Sequence, residues 1–250
     1  MRAVSTEVVA DYNPIAAFYQ EHWSSHYHPW AKVVLEKTLL TRVPKGGRIL
    51  DLCCGNGIIA QHLSGLGYHV TGIDVSENML RYARENSRDS EFIVADARSF
   101  WLHSLHDGAL STFDSLNHIL SSEDLLSVFE NVNRSLAAGA VFVFDAVREE
   151  GYLKAWKNTC ANVGENYACF IRGNYDQYTR LGRTDITLFE ENGSWRRSDV
   201  SFLQRFHPID DIKQLLREAR FRNVDVYNAI DDLGIEGYFG EGRAVFMAEK

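Results

Sequence analysis

The sequence predicts an α/β protein: a doubly wound, mostly parallel sheet with helices on both faces, into which an antiparallel β-meander is inserted. Three observations carry this. From residue 45 to about 148, short apolar runs bounded by glycine alternate with segments of helical period, a grammar that sets strands in parallel and helices on both faces. From about Gly151 to His207 the pattern changes to extended stretches separated by turn signals, as antiparallel neighbours require. After Pro208 one helix and two strands return and close the sheet as a hairpin pair.

In order along the chain, Asn13 to Leu40 reads as helices. Asn13-Pro14 forms a cap and first-turn pair, Ile15, Phe18, Tyr19 and Trp23 fall at helical spacing, and a second stretch through Trp30, Val33, Val34, Leu35 and Leu39 follows Pro29. Arg48 to Cys53 is a short apolar run after the turn signal ending in Gly47, hence a buried parallel strand. Gly55-Asn-Gly57 opens a helix through His62. Tyr68 to Ile73 is the second strand, ended by Asp74, and Ser76 caps a helix through Ala83. Glu91 to Ala95 is the third strand, ended by Asp96. Gly108 to Phe113, a helix from Ser122 to Leu136, and Ala140 to Phe144 after a Gly139 turn complete the regular alternation. In the meander, Tyr167 to Tyr175, Thr184 to Phe189 and Val200 to Phe206 are strands, with turns at Arg-Leu-Gly182-Arg and Glu-Asn-Gly193-Ser. Ile209 to Ala219 is a helix, and Val224 to Ala229 and Ala244 to Ala248 are the last strands.

Composition narrows the function. With Lys+Arg 26 against Asp+Glu 34 the net charge is −8, the wrong sign for a protein that must neutralise phosphates, so no nucleic-acid partner is expected. No apolar run approaches the roughly 20 residues of a membrane helix. The N-terminal stretch lacks the apolar region of a signal peptide, so no membrane association and a cytoplasmic location are expected. Cys53, Cys54, Cys160 and Cys169 do not fall at metal-ligand spacing. His22, His26 and His28 do not share one helical face, and no metal is expected.

The chemistry lies in Leu50-Asp-Leu-Cys-Cys-Gly-Asn-Gly57. Gly55-Asn-Gly57-Ile-Ile-Ala60 fits the dinucleotide fingerprint, and Asp74 ends the next strand as a ribose-binding acid would. Asp51 separates the readings. A pyrophosphate on the helix N-terminus would be repelled by its carboxylate, whereas a ligand with an ammonium and a sulfonium, such as S-adenosylmethionine, would be attracted.

Asp51 to Gly57, Gly72-Ile-Asp-Val-Ser-Glu-Asn-Met-Leu80 and Phe92-Ile-Val-Ala-Asp-Ala97 closely resemble the first three motifs of class I S-adenosylmethionine-dependent methyltransferases. The resemblance spans roughly residues 12 to 148. It implies a Rossmann-like seven-stranded sheet of order 3-2-1-4-5-7-6, with residues 1–44 as a helical lid, 45–149 as the cofactor-binding core, 150–207 as the inserted sheet, and 208–250 as the rest of the core. It further implies that Gly55 and Gly57 admit the methionine part of the cofactor, with Cys53 beside them where the family usually has glycine or alanine. Asp51 would accept from the amino group and Asp74 from both ribose hydroxyls. Val75 and Met79 would pack on adenine, Asp96 would accept from its exocyclic amine, and the Ala97 N–H would meet a ring nitrogen.

Within the superfamily the chain resembles amino-sugar N,N-dimethyltransferases and glycine-type N-methyltransferases, on Tyr12 to Tyr19 and Thr112 to Ile119. That implies lid and cofactor contacts from Tyr19, Tyr27, Trp30 and Phe113. It also implies an acceptor pocket near Asn117 and His118, completed by Arg148 and by a meander in which Tyr167, Phe170, Arg172 and Tyr178 alternate, one face inward. His118 is the candidate base, because it follows strand four and its ordinary pKa near 6.5 suits proton uptake. Tyr19 is the second catalytic candidate. The expected function is methyl transfer to an N or O atom of a small polar metabolite, with a homodimer through the meander edge as a further expectation. The rival readings are a non-catalytic cofactor-binding protein of this fold and an NAD-dependent dehydrogenase.

Overall fold

The structure, a computed structural model, describes residues 10–237 and 240–250, and at Tyr27 the backbone only. A seven-stranded sheet forms the centre: β1 (Arg48–Leu52), β2 (His69–Asp74), β3 (Glu91–Val94), β4 (His106–Ser111), β5 (Leu136–Val147), β10 (Arg222–Asn228) and β11 (Arg243–Glu249). From one edge the order is β3-β2-β1-β4-β5-β11-β10, the order 3-2-1-4-5-7-6. Strands β1 to β5 pair in parallel, and β11 runs antiparallel between β5 and β10.

Alternation along β5 shows why both faces are covered. Phe142 and Phe144 point to one side, where they pack with Phe129 of α5 (Ser122–Ser135), Phe144 stacks on Phe246, and Leu216 of α7 (Ile209–Glu218) joins them. Val141 and Val143 point to the other side, against Val34 and Leu35 of α2 (Ser24–Lys37) and Ile59 and Leu63 of α3 (Ile58–Gly65). A strand buried on both faces needs apolar residues at every position, which is how the sequence reads there. α4 (Glu77–Asn86) is capped as expected, the Ser76 hydroxyl accepting from the N–H of Met79.

The inserted sheet has four antiparallel strands in sequence order: β6 (Thr159–Val163), β7 (Tyr167–Asp176), β8 (Leu181–Glu191) and β9 (Trp195–Arg205). Its inner face, with Cys169, Ile186, Leu188, Val200 and Phe202, packs on Ile15 and Phe18 of the N-terminal segment. That segment runs as a 3-10 turn (Asn13–Ile15), a short α1 (Ala16–Phe18) and a π-helical turn (Tyr19–Trp23) into α2.

Several local expectations are corrected. Pro29 does not begin the second helix but lies inside α2; the carbonyl it leaves without a donor belongs to Ser25, an exposed residue that water can reach. Asn13 does not cap its own helix. Its side-chain oxygen accepts from the Ser76 hydroxyl and the Asn78 N–H, fastening the N-terminal segment to α4. Gly139 is not a turn before β5 but a positive-φ residue within it, donating to the carbonyl of Lys250. Gly182 lies within β8; the hairpin turns before it, at 177–180, with Arg180 at φ 58°. Glycine is needed at 182 because a Cβ there would come within 2.7 Å of the Tyr152 ring. β6 and α6 (Glu149–Ala155) were not legible from periodicity, being short and mostly polar.

Candidate active site

The carboxyl ends of β1, β2 and β4 and the start of the N-terminal segment enclose one cavity, where the doubly wound topology places ligands. The backbone bends sharply there. Cys53 after β1 and the pair Phe113-Asp114 after β4 have φ of 58°, 66° and 49°, a conformation non-glycine residues adopt at some cost. These bends turn Asp51, Cys53, Gly55, Phe113 and Asp114 toward a common space.

Asp51 is 2 % exposed, and its Oδ2 has no hydrogen-bond partner. Burial, with the Asp74 charge adding to it, pushes its carboxyl up to about 8. A buried carboxylate in this state is incomplete without a cationic donor. Asp74 is already organised: Oδ2 accepts from the Gly55 N–H at 2.9 Å and Oδ1 from the Ser76 N–H at 2.8 Å. Burial raises its pKa, and these N–H groups oppose the rise. Each oxygen keeps a further lone pair for a hydroxyl. Val75 and Met79 line the same wall, and Gly55, at φ 53°, leaves the floor open. At the far end Asp96 is gripped by Arg98, with Ala97 beside it. Burial raises the Asp96 carboxyl, but the bonds from Arg98 outweigh it and hold it below the usual carboxylate range. The cavity thus presents in sequence an orphaned acid, a dihydroxyl-sized acceptor pair, an apolar wall and a second acid. This set fits the ammonium, ribose and adenine of S-adenosylmethionine, and the Asp51 orphan is the observation that tests the fit.

A second cavity lies between the core and the inserted sheet, walled by Trp23, Trp156, Ile186 and Phe202. Tyr12, Asp114 and His118 line both cavities. His118 Nδ1 lies 2.9 Å from the Leu203 carbonyl. A carbonyl only accepts, so Nδ1 carries the hydrogen and Nε2 is the ring's acceptor. Burial lowers the His118 pKa. Behind it stands a buried charge cluster: Arg243 bonds Asp114 at 2.8 Å and also Asp145, and the Gln204 amide donates to Asp114 at 2.5 Å. Gln204 is 5 % exposed, and its Oε1 has no partner.

Not every expected residue joins the site. Trp30 is not on the cofactor; it is 5 % exposed, packed edge-on behind Phe113 and beneath the Arg243 guanidinium. Gly57 does not line the cavity either: at φ 73°, a Cβ would lie 2.8 Å from the Cβ of Ala83, so glycine there serves helix packing. Asn117 is no acceptor contact. Its amide spans the Arg205 carbonyl at 2.8 Å and the Val147 N–H at 3.0 Å, tying the loop after β4 to both sheets. Arg148 pairs with Glu150 at 2.9 Å, away from both cavities. Arg172 is exposed on the outer face of β7, because Cys169 and Ile171 take the inner one; Phe170 is outward too, and Tyr178 is fully exposed in a turn. Tyr167 packs against Phe18 and His22. Tyr19 lines the cofactor cavity, and the Tyr27 side chain lies outside the described residues. Among the described residues no group of His, Cys, Asp or Glu is arranged to hold a metal, and no helix is long and apolar enough to cross a membrane. Tyr12, Asp114, Gln204 and Arg243 come together only through contacts between distant segments, whereas Arg98 grips Asp96 two residues before it. The local hints are Tyr12 and Asp114, which lie in the two segments Tyr12 to Tyr19 and Thr112 to Ile119.

Comparison with known proteins agrees with the geometry. A family described as methyltransferase domain matches residues 49–139. A Bacillus subtilis protein named "Putative methyltransferase YqeM" is 28 % identical over 218 residues, covering 84 % of this chain and 86 % of its own. The Streptomyces venezuelae dTDP-3-amino-3,4,6-trideoxy-alpha-D-glucopyranose N,N-dimethyltransferase is 28 % identical over 105 residues, 42 % of this chain and 44 % of its own. A crystal structure of an S-adenosylmethionine-dependent methyltransferase from Clostridium acetobutylicum superposes with a TM-score of 0.77 at 21 % identity, covering 95 % of this chain and 98 % of that one. Residues 49–139 thus match a methyltransferase domain, and in its three ordered motifs, its sheet order and the orphaned Asp51 on the cavity the chain resembles the class I S-adenosylmethionine-dependent methyltransferases.

Proposed function

We propose that the chain methylates a nitrogen or oxygen atom of a small polar metabolite held in the cavity between the core and the inserted sheet. The observation that carries this reading is that the two cavities meet at Tyr12, Asp114 and His118. When bound, S-adenosylmethionine supplies a methyl group on a sulfonium. The chain's own work is to orient the acceptor, exclude water and take up a proton. Asp51 would hold the cofactor's amino group, Asp74 its ribose hydroxyls, and Asp96 with the Ala97 N–H its base.

In the acceptor cavity, the Tyr12 hydroxyl yields its place on Nε2 of neutral His118 to the acceptor, Nε2 takes up the acceptor's proton, and Leu203 holds the ring by its other nitrogen. Asp114, the Gln204 Oε1 and His118 Nε2 are all acceptors, so they suit a group that brings its own hydrogens. The amino-sugar substrate in the name of the Streptomyces venezuelae relative supports nitrogen as the target. The aromatic walls from Trp23, Trp156 and Phe202 suit the faces of a ring.

Calorimetric titration with S-adenosylhomocysteine and with NAD tests the cofactor. Binding of the first alone is expected, and binding of NAD alone would overturn the reading. Turnover, read as S-adenosylhomocysteine release with amino sugars, amino acids and phenolic metabolites, then tests the acceptor. Cofactor binding without release on any acceptor of these classes would favour a non-catalytic role.

A further inference from the structure

Arg98 closes around Asp96 at the base end of the cofactor cavity. Its Nε donates to Oδ1 and Oδ2 of Asp96 at 3.0 and 3.1 Å, its Nη2 to Oδ2 at 2.8 Å, and its main-chain N–H to Oδ1 at 2.8 Å. Nη1 reaches Asp124 of α5 at 3.3 Å, and the side chain is 9 % exposed. A carboxylate offers about four lone-pair directions. Three N–H groups of one residue supply three hydrogens, that of Nε shared between both oxygens, which leaves room for one further donor.

The rest of the loop is tied to α5 as well. The Asn131 amide donates to the Ala97 carbonyl at 3.2 Å, and Arg134 to the Phe100 carbonyl at 3.4 Å. Asp96, Ala97, Arg98 and Asp124 all line the cavity, so its base end is held as one piece on a helix. The bidentate fork also keeps Asp96 a carboxylate. A carboxylate only accepts; a protonated carboxyl could equally donate, and would tolerate a base that presents an oxygen.

We propose that Arg98 is a positioning residue that makes the cofactor site select a base carrying an exocyclic amine, by holding Asp96 with one acceptor direction left for that amine. This rests on the placement of adenine at Asp96 under the proposed function. A buried acceptor that loses its matching donor is left unpaired, which is how such a site rejects the analogue.

The test is the affinity of the full chain for S-adenosylhomocysteine and for S-inosylhomocysteine, in which the amine is replaced by oxygen. The unaltered chain should prefer the adenosyl ligand by about tenfold or more. Arg98→Met should shrink that ratio to about threefold or less, chiefly by weakening the adenosyl ligand, and Arg98→Lys, which keeps the charge but loses the fork, should give a ratio between the two. A fall in both affinities by one common factor would show a purely structural residue and overturn the proposal. If Arg98→Met does not fold, Arg98→Lys decides, and an unchanged ratio in it overturns the proposal. Equal affinities in the unaltered chain, or a preference that survives Asp96→Ala, would instead overturn the adenine placement beneath it.

Discussion

The Tyr12 hydroxyl stands 3.2 Å from Nε2 of His118, with the Tyr12 ring stacked on Phe202 at 4.3 Å. With Nδ1 donating to Leu203, that nitrogen accepts from the phenol, and both groups sit where the two cavities join.

His118→Ala is therefore expected to slow turnover by about 10² or more while changing S-adenosylhomocysteine affinity little. Because burial lowers the His118 pKa below 6.5, the acid limb of kcat/KM should fall below that pH. Tyr12→Phe removes a donor to the neutral ring, so it should move this limb to higher pH. An unchanged rate in His118→Ala with an acceptor found by screening would remove His118 from the chemistry.

Asp51 makes the ligand-free protein pH-sensitive. Its carboxyl is raised to about 8 in the folded chain, against about 3.9 when unfolded. The folded state thus keeps a proton the unfolded state gives up, and the stability this contributes is lost as pH rises from about 4 through 8. Melting temperature against pH should fall more steeply over this range in the unaltered chain than in Asp51→Asn; identical slopes would contradict the assignment.

Asp74→Ala should abolish S-adenosylhomocysteine binding in calorimetry, since it removes the ribose acceptor and also frees the N–H groups of Gly55 and Ser76. Affinity within threefold of normal would exclude Asp74 as the ribose anchor.

Gly57→Ala should act on stability first. It places a Cβ against Ala83 at a φ of 73°, which costs on the order of 2 kcal/mol or more. A lower melting temperature, with cofactor affinity largely kept in the folded fraction, is the expected pattern. Selective loss of binding with an unchanged melting temperature would return Gly57 to the cofactor site.

Arg243 sits between Asp114 and Asp145 with 7 % of its surface exposed. Arg243→Met strands the buried carboxylate of Asp145 and the half-buried one of Asp114 and should cost about 3–5 kcal/mol in denaturant unfolding. Adding Asp145→Leu should recover part of that loss; a double variant as unstable as the sum of the singles would show that the two residues are not coupled.

How much of this could be read beforehand depends on whether the cause was local. Strands β1, β2 and β5 were legible because burial on both faces demands unbroken apolar runs, and the Asp51, Asp74 and Asp96 positions because each follows directly from a strand end. Trp30, Asn117, Arg148 and Arg172 misled because their residue types suit a ligand pocket, while only packing decides which way a side chain faces. The inner face of β7 falls to Cys169 and Ile171, and a one-residue shift in that register would have turned Arg172 inward.

The sequence by itself determined the sheet, its order through the family resemblance, and the three strand-end acids Asp51, Asp74 and Asp96 of the cofactor cavity, because these follow from strand periodicity and from residues adjacent in the chain. The tertiary structure alone decided the acceptor cavity and its chemistry. Tyr12, His118 and Gln204 are separated by 106 and 86 residues along the chain, and no local pattern records a contact that forms only when the N-terminal segment, the loop after β4 and the inserted sheet close on one another.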